Sequence, residues 1–347
     1  MIKLPAIEGN NFSGRRVFVR GDLDVPLTGE KIADDFRLAA IRPTLELLLR
    51  QNAQIILAGH LGRPGGKEDL KLSLLPVAEW LNSKIGNPQN FVQKTTLGQF
   101  PAFVINGQLA VLENLRFFPG EEENSADFAG KLADLADLYV NEAFAVCERA
   151  HASVVGVARL RPHFAGLRLI AETEKLSEVL ENPGRPLLVI LGGAKMETKL
   201  PLIKKMADLA DNVVVGGKLV GEIKEEPSLA KVSEGLKVRF LKLTRDGKDT
   251  TLEAIDKIQK EIAGAGMIVW NGPLGAVEDY TYQVGTRRLS ELVAASAAVK
   301  VVGGGDTIGF LNKLGLIDKF DWVSTGGGSM LNFLSGEELP GIKALLA

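Results

Sequence analysis

The chain has 347 residues, 46% of them hydrophobic and 24% charged, with 38 glycines; that length exceeds one ordinary core and predicts two domains joined by many tight turns. A formal charge of −2 and a pI near 6.1 exclude a general nucleic-acid or membrane-surface binder. The single cysteine, Cys147, excludes an internal disulfide.

No opening stretch reads as a secretory leader and no apolar run reaches the length of a membrane span, so a cytoplasmic location is expected. Val17–Arg20 predicts a strand that ends in G-D-L-D-V-P. Arg20, Asp22 and Asp24 alternate there, so in an extended segment they share one side. An arginine with two carboxylates suits a hydroxy acid; a surface salt-bridge cluster is the competing reading. Asp34 is expected to cap the next helix, with Ile41, Leu45, Leu48 and Leu49 as its buried stripe. Arg37 in its first turn runs against the helix dipole, which hints at an anionic ligand.

Ile55–Ala58 predicts a second strand, followed by His60 and Arg63 in G-H-L-G-R-P. Ala110–Glu113 is followed by Arg116, and Leu138–Asn141 leads on to Arg149 and His151. Four strands thus end in arginine-bearing loops. Parallel strands place such loops at one sheet edge, where the arginines would converge on phosphate or carboxylate. Arg161 and His163 flank Pro162 and read as structural.

Leu167–Leu180 has helical periodicity and is stopped by Asn182-Pro183-Gly184, so it predicts a connecting helix. After it, five aliphatic residues, Leu187–Leu191, run into Gly192-Gly193-Ala194-Lys195, with Lys199 one helical turn on. The run predicts a strand buried on both faces. The glycines admit a ligand to the backbone, and Lys195 and Lys199 share a helix face that reaches a phosphate. The device recurs where strands meet Gly216-Gly217-Lys218, Asn271-Gly272-Pro273, Gly303-Gly304-Gly305-Asp306-Thr307 and Thr325-Gly326-Gly327-Gly328. That repetition predicts a polyphosphate laid along one sheet edge. Glu278 is placed for a ribose hydroxyl, and Asp306 for Mg²⁺ or as an N-cap. Neither G-x-x-x-x-G-K-[ST] nor G-x-G-x-x-G occurs, which weighs against a Walker A loop and a dinucleotide site.

Taken together, VRGDLDVP, HLGRP, ENLRF, YVNEAF with RAHAS, LGGAK with Lys199, WNGPLG, GGGDT and STGGG resemble the phosphoglycerate kinase family over nearly the whole chain. The resemblance implies an α/β protein with two Rossmann-like, parallel-sheet, three-layer domains facing each other across a cleft. The expected divisions are 1–166 for phosphoglycerate, 167–181 as the interdomain helix and 182–336 for the nucleotide, with 337–347 returning to the first domain. By motif, Asp22, Asp24, Arg37, His60, Arg63, Arg116 and Arg149 would line the substrate site. Gly192, Gly193, Ala194, Lys195, Lys199, Gly216, Gly217, Asn271, Pro273, Glu278 and Gly303–Thr307 would hold Mg-ATP or Mg-ADP, with Asp306 on the metal. Arg37, Lys195, Gly304, Gly305, Gly327 and Gly328 would surround the phosphoryl group in transit. The implied partners are ATP or ADP and 3-phosphoglycerate or 1,3-bisphosphoglycerate, with no nucleic acid or membrane, and the implied state is a monomer.

The chain departs from the family pattern at Asp24, where asparagine is usual, at Glu148, where histidine is usual, and at Lys218, where a third glycine is usual. It is also short, which implies trimmed loops. Three alternatives stand beside the kinase: a dinucleotide-dependent dehydrogenase, a non-catalytic phosphometabolite-binding relative, and a kinase for another acyl substrate.

Overall fold

The computed structural model describes residues 2–86, 91–194, 196–224 and 238–347. They fall into two compact units, Ile2–Thr173 with Glu338–Ala347, and Glu174–Glu337. The division lies inside the helix Leu167–Glu181.

The first unit contains β1 (Arg16–Arg20), the short antiparallel pair β2 (Leu27–Thr28) and β3 (Lys31–Ile32), and β4 (Gln54–Ala58). It continues with β5 (Gln93–Leu97), β6 (Phe100–Asn106), β7 (Leu109–Leu112), β8 (Leu138–Asn141) and β9 (His163–Ala165). The main sheet has the order β5-β6-β7-β4-β1-β8-β9. Strands β7 to β9 in that order pair in parallel, and β5-β6-β7 is an antiparallel meander. After its first residue β1 is wholly buried, so both faces of the sheet are covered. Val17 and Val19 pack with Leu38, Ile41, Leu45 and Leu48 of the helix Phe36–Arg50 on one face. On the other face Phe18 stacks on Tyr139 at 6.1 Å. The stripe of the helix includes Leu38, while Leu49 is only half-buried. Its N-cap position is Asp35; Asp34 supplies the side-chain bond, accepting from the Phe36 amide at 2.9 Å.

The sequence does not announce β5 and β6. Gln93–Leu97 (QKTTL) is an exposed polar edge strand without an apolar face, so it carries no alternation to read.

The start of the helix Leu167–Glu181 is tied to the sheet. Thr44 Oγ1 accepts from the Leu167 amide at 2.9 Å, and the buried Glu142 carboxylate accepts from the amides of Arg168 and Leu169 at 2.9 and 3.3 Å. These bonds satisfy otherwise orphaned helix donors. Gly166 has to be small: a Cβ there would overlap Glu142 Oε2.

The second unit contains β10 (Leu187–Leu191), β11 (Asn212–Val215), β12 (Val238–Phe240), β13 (Met267–Asn271), β14 (Val299–Gly303) and β15 (Trp322–Val323). All six run parallel, in the order β12-β11-β10-β13-β14-β15. Strand β10 is buried at every residue, as its five consecutive aliphatics predict, and β13 (Met-Ile-Val-Trp-Asn) is buried at every residue too. In each unit strand order reverses about a central strand, β1 flanked by β4 and β8, and β10 flanked by β11 and β13. Such reversals open a crevice at the carboxyl ends, where ligands bind in this architecture.

Candidate active site

Both groups of expected site residues leave the carboxyl edge of their sheet. In the first unit Arg20, Ala58 and Asn141 are level in register, so the loops after β1, β4 and β8 start together. Arg37 Nη1 is 3.3 Å from Asp22 Oδ1 and 3.8 Å from Asp24 Oδ2, and donates to the Asp24 carbonyl at 2.9 Å. Asp24 Oδ1 accepts from the Gly62 amide at 2.9 Å, and its Oδ2 lies 3.6 Å from His60 Nε2. The negative charge of Asp24 is thus compensated within the site. Asp22 is buried, with Oδ2 lacking a hydrogen-bond partner among the described residues; burial pushes its carboxyl up, against the pull of Arg37.

Arg116 is 1% exposed, donates to Gly62 O at 2.9 Å and faces Glu122 at 3.3 Å. Burial lowers its pKa; the Nε makes the ion pair with Glu122, and Nη2 has no hydrogen-bond partner among the described residues. Arg149 is half-buried and lies 3.5 Å from Glu148. Arg63 is exposed and makes no ion pair among the described residues. The structure thus brings Asp22, Asp24, Arg37 and His60 into direct contact. The Gly62 backbone links Asp24 to Arg116, while Arg63 stands outward.

Three further buried groups complete this edge: Arg20, which the sequence reads with Asp22 and Asp24, and Ser153 and Glu121, which it does not single out. Arg20 donates to Ser153 Oγ at 2.7 Å and lies 3.1 Å from His60 Nδ1, while Glu121 accepts from the Ser153 hydroxyl at 2.5 Å. Only Arg20 carried a signal, its alternation with Asp22 and Asp24. Ser153 and Glu121 lie more than a hundred positions from Arg20, and no local pattern marks them. His151 is also buried; burial and then Arg116 lower it to about 3.

In the second unit the glycine turns interlock. A Cβ on Gly192 would meet Pro273 O at 2.3 Å, and one on Gly272, which has φ +91°, would meet Gly192 O at 2.2 Å. A Cβ on Gly327 would lie 2.9 Å from Gly304 Cα, so the turns after β14 and β15 touch. Helices Gly305–Lys313 and Gly327–Ser335 begin at that contact, and two sets of free N–H groups converge. Asn271 is buried, and the Gly272 amide donates to Thr307 Oγ1 at 3.1 Å. Gly217, with φ +67°, donates to Thr250 Oγ1 at 3.2 Å. Ala194, Lys218, Glu278, Gly305 and Asp306 are exposed at this edge.

Lys195 lies outside the described residues. Lys199 is 5% exposed and turned inward: Nζ donates to Gly192 O, to Asn271 O at 3.0 Å and to Asn271 Oδ1 at 3.0 Å. It therefore laces β10 to β13 beneath the turns. Burial lowers its pKa to about 7, opposed by Asp306. No cluster of three or more metal-ligating side chains occurs among the described residues.

A model of the phosphoglycerate kinase family matches residues 7–225 and 220–337. The chain belongs to the phosphoglycerate kinase family. It is 37% identical to a phosphoglycerate kinase of Leptospira biflexa and 38% identical to one of Dictyoglomus turgidum. The first match covers 99% of each chain, the second 98% of this chain and 97% of the relative. Solved phosphoglycerate kinase structures from Coxiella burnetii and Pyrococcus horikoshii match with TM-scores of 0.80 and 0.82, at 34% and 27% identity. They cover 99% of this chain, and 99% and 98% of their own. The Leptospira alignment runs over 392 positions against 347 residues here, so parts of that phosphoglycerate kinase have no counterpart in this shorter chain. Membership in a phosphotransferase family sets aside the dehydrogenase alternative.

Proposed function

We propose that the chain catalyses reversible transfer of a phosphoryl group between ATP and the carboxylate of 3-phosphoglycerate, the acceptor held by the first unit and the nucleotide by the second. The observation that carries the nucleotide half is the contact of Gly304 with Gly327, which aims two helix N-termini at one place. An anion gains there from donors that are already oriented. For the acceptor half it is the convergence of Arg37, Arg116 and His60 on the loops after β1 and β4.

Phosphoryl transfer demands in-line positioning and neutralisation of charge on the equatorial oxygens. The acceptor carboxylate is itself a nucleophile, so no general base is required. Arg37 and Lys195 would bracket the group in transit, with amides of Gly304, Gly305, Gly327 and Gly328 on its oxygens. Gly192, Gly193, Ala194, Gly216, Gly217, Asn271, Pro273, Gly303 and Thr307 would shape the nucleotide cradle, and Glu278 would take the ribose. Asp306 suits Mg²⁺: an exposed carboxylate beside the phosphate turn is what a metal shared with phosphate oxygens requires. The ion would neutralise charge between the phosphates.

The Asp24 and Glu148 departures do not favour a non-catalytic relative, because each carboxylate is met by a cation or an amide in place. Further parts of the reading are a cytoplasmic location and action as a monomer without nucleic acid or membrane. No described helix is long and apolar enough to cross a bilayer.

The decisive experiment is ADP formation from Mg-ATP and 3-phosphoglycerate by the unmodified chain and by Asp24→Asn. Turnover by both, with KM for phosphoglycerate differing less than about tenfold, is expected from the compensated charge. ATP binding without turnover in either would sink the reading in favour of a binding protein or another acyl acceptor.

A further inference from the structure

The hydrogen-bond inventory around His60 closes in only one way. Arginine donates and never accepts, so Arg20 Nη2, 3.1 Å from His60 Nδ1, requires a lone pair on that nitrogen. The same rule applies at the other end of the guanidinium. Arg20 Nε donates to Ser153 Oγ at 2.7 Å, which obliges the Ser153 hydroxyl hydrogen to go elsewhere. Glu121 receives it: Oε1 accepts from Ser153 Oγ at 2.5 Å, and Oε2 accepts from the Ser153 amide at 2.9 Å. Arg20, Ser153 and Glu121 are 0% exposed and His60 is 3% exposed, so the links are made out of reach of bulk water. The four residues come from the end of β1, the loop after β4, the short helix Pro119–Glu122 and the turn that opens at Ala152.

We propose that Glu121, Ser153 and Arg20 are a positioning chain that fixes His60 as a neutral imidazole with its hydrogen on Nε2. His60 then offers the bound anion a neutral donor in place of a titrating cation. This rests on the assignment of that site to phosphoglycerate. The Nε2 edge is the one that faces the site, 3.6 Å from Asp24 Oδ2, while Asp24 already accepts from the Gly62 amide. The charged groups around the ring are Arg20, Arg37, Arg116 and Arg149 on one side of the balance and Asp24 on the other. Burial first, and then those four arginines, hold the imidazole well below its ordinary range. A positive imidazole would add repulsion among the arginines and would titrate near neutrality; a neutral N–H donor does neither. The chain also helps the fold tolerate a buried arginine, since each of its three nitrogens has an acceptor in Ser153, Gly21 O or His60.

The test uses the full chain labelled with ¹⁵N-histidine, which has three histidines, His60 being assigned by loss of its signals in His60→Gln. A pyrrole-type Nε2 and a pyridine-type Nδ1, unchanged from about pH 5.5 to 8, are expected. A hydrogen on Nδ1, or titration to imidazolium in that interval, overturns the proposal. Addition of 3-phosphoglycerate should then shift Nε2 and leave Nδ1 nearly unmoved. The fixed tautomer without that shift would keep the positioning chain and refute the substrate reading. In kinetics, Ser153→Ala should raise KM for 3-phosphoglycerate about tenfold, with kcat and KM for Mg-ATP little changed, and Ser153→Thr should restore it. Equal loss in all three parameters, or no loss in any, would show Ser153 to be plain packing.

Discussion

Lys199 and Glu142 are both held at about 7, from opposite directions and by the same cause. Burial lowers the lysine from 10.5 and raises the glutamate from 4.5. Between about pH 4.5 and 7 the folded protein holds a proton on Glu142 that the unfolded chain has lost, so this group makes stability fall as pH rises. Between about 7 and 10.5 the unfolded chain holds the Lys199 proton that the folded one lacks, and stability rises with pH. Melting temperatures of Glu142→Gln relative to the parent should therefore climb across the lower window, and those of Lys199→Met should fall, relative to the parent, across the upper one. Differences that stay flat with pH would remove these groups from the titration. At Arg37 the expectation is kinetic. Its Nη1 bonds the Asp24 carbonyl, and it would act on charge that develops in transfer. Arg37→Ala should thus lower kcat by two or more orders of magnitude, roughly the loss of one transition-state donor, with KM less affected. An unchanged kcat would exclude it from the mechanism.

At the scale of elements, the glycine turns act by position more than by flexibility. Gly327 and Gly304 set the spacing of two helix starts, and a methyl at Gly327 would sit 2.9 Å from Gly304 Cα. Gly327→Ala should force the turns apart, costing about 1–3 kcal/mol of stability and at least tenfold in kcat/KM for Mg-ATP, measured by thermal melts and initial rates. Retained kcat/KM would show that the spacing is not critical. These turns were legible in the sequence because each follows an apolar run, and the run Leu187–Leu191 is a strand as read, while the run read at Met267–Trp270 is a strand that extends to Asn271. Lys199 was only half legible. Its spacing from Lys195 promised a shared solvent face, but the short distance between the ends of β10 and β13 captures its ammonium inside. The Glu121–Ser153–Arg20 chain was not legible as a unit, since its three segments meet only in the fold. Strand order was likewise beyond the sequence, because Gln93–Leu97 pairs through its backbone and shows no apolar face.

At the scale of the whole molecule, the unit that begins the chain is also the one that ends it. Residues 338–347 pack within the first unit: Leu339, Ile342 and Leu345 are buried, and the Gly341 amide donates to Cys147 O at 2.9 Å. A Cβ on Gly341 would lie 2.9 Å from Cys147 Sγ, so this segment covers the thiol, which is 0% exposed. The thiol's pKa is pushed up to about 12 by burial. Chains ending at Glu337 should therefore react with a maleimide at Cys147, and the full chain should not; equal labelling would mean that something else shields the sulfur. The arrangement sets an order in time. On the ribosome the 174–337 segment emerges complete before the final ten residues, roughly ten seconds or more after the strands of the first unit at ~5–20 residues per second. The loop that carries Cys147, Glu148 and Arg149 gains this cover only once residues 338–347 have emerged.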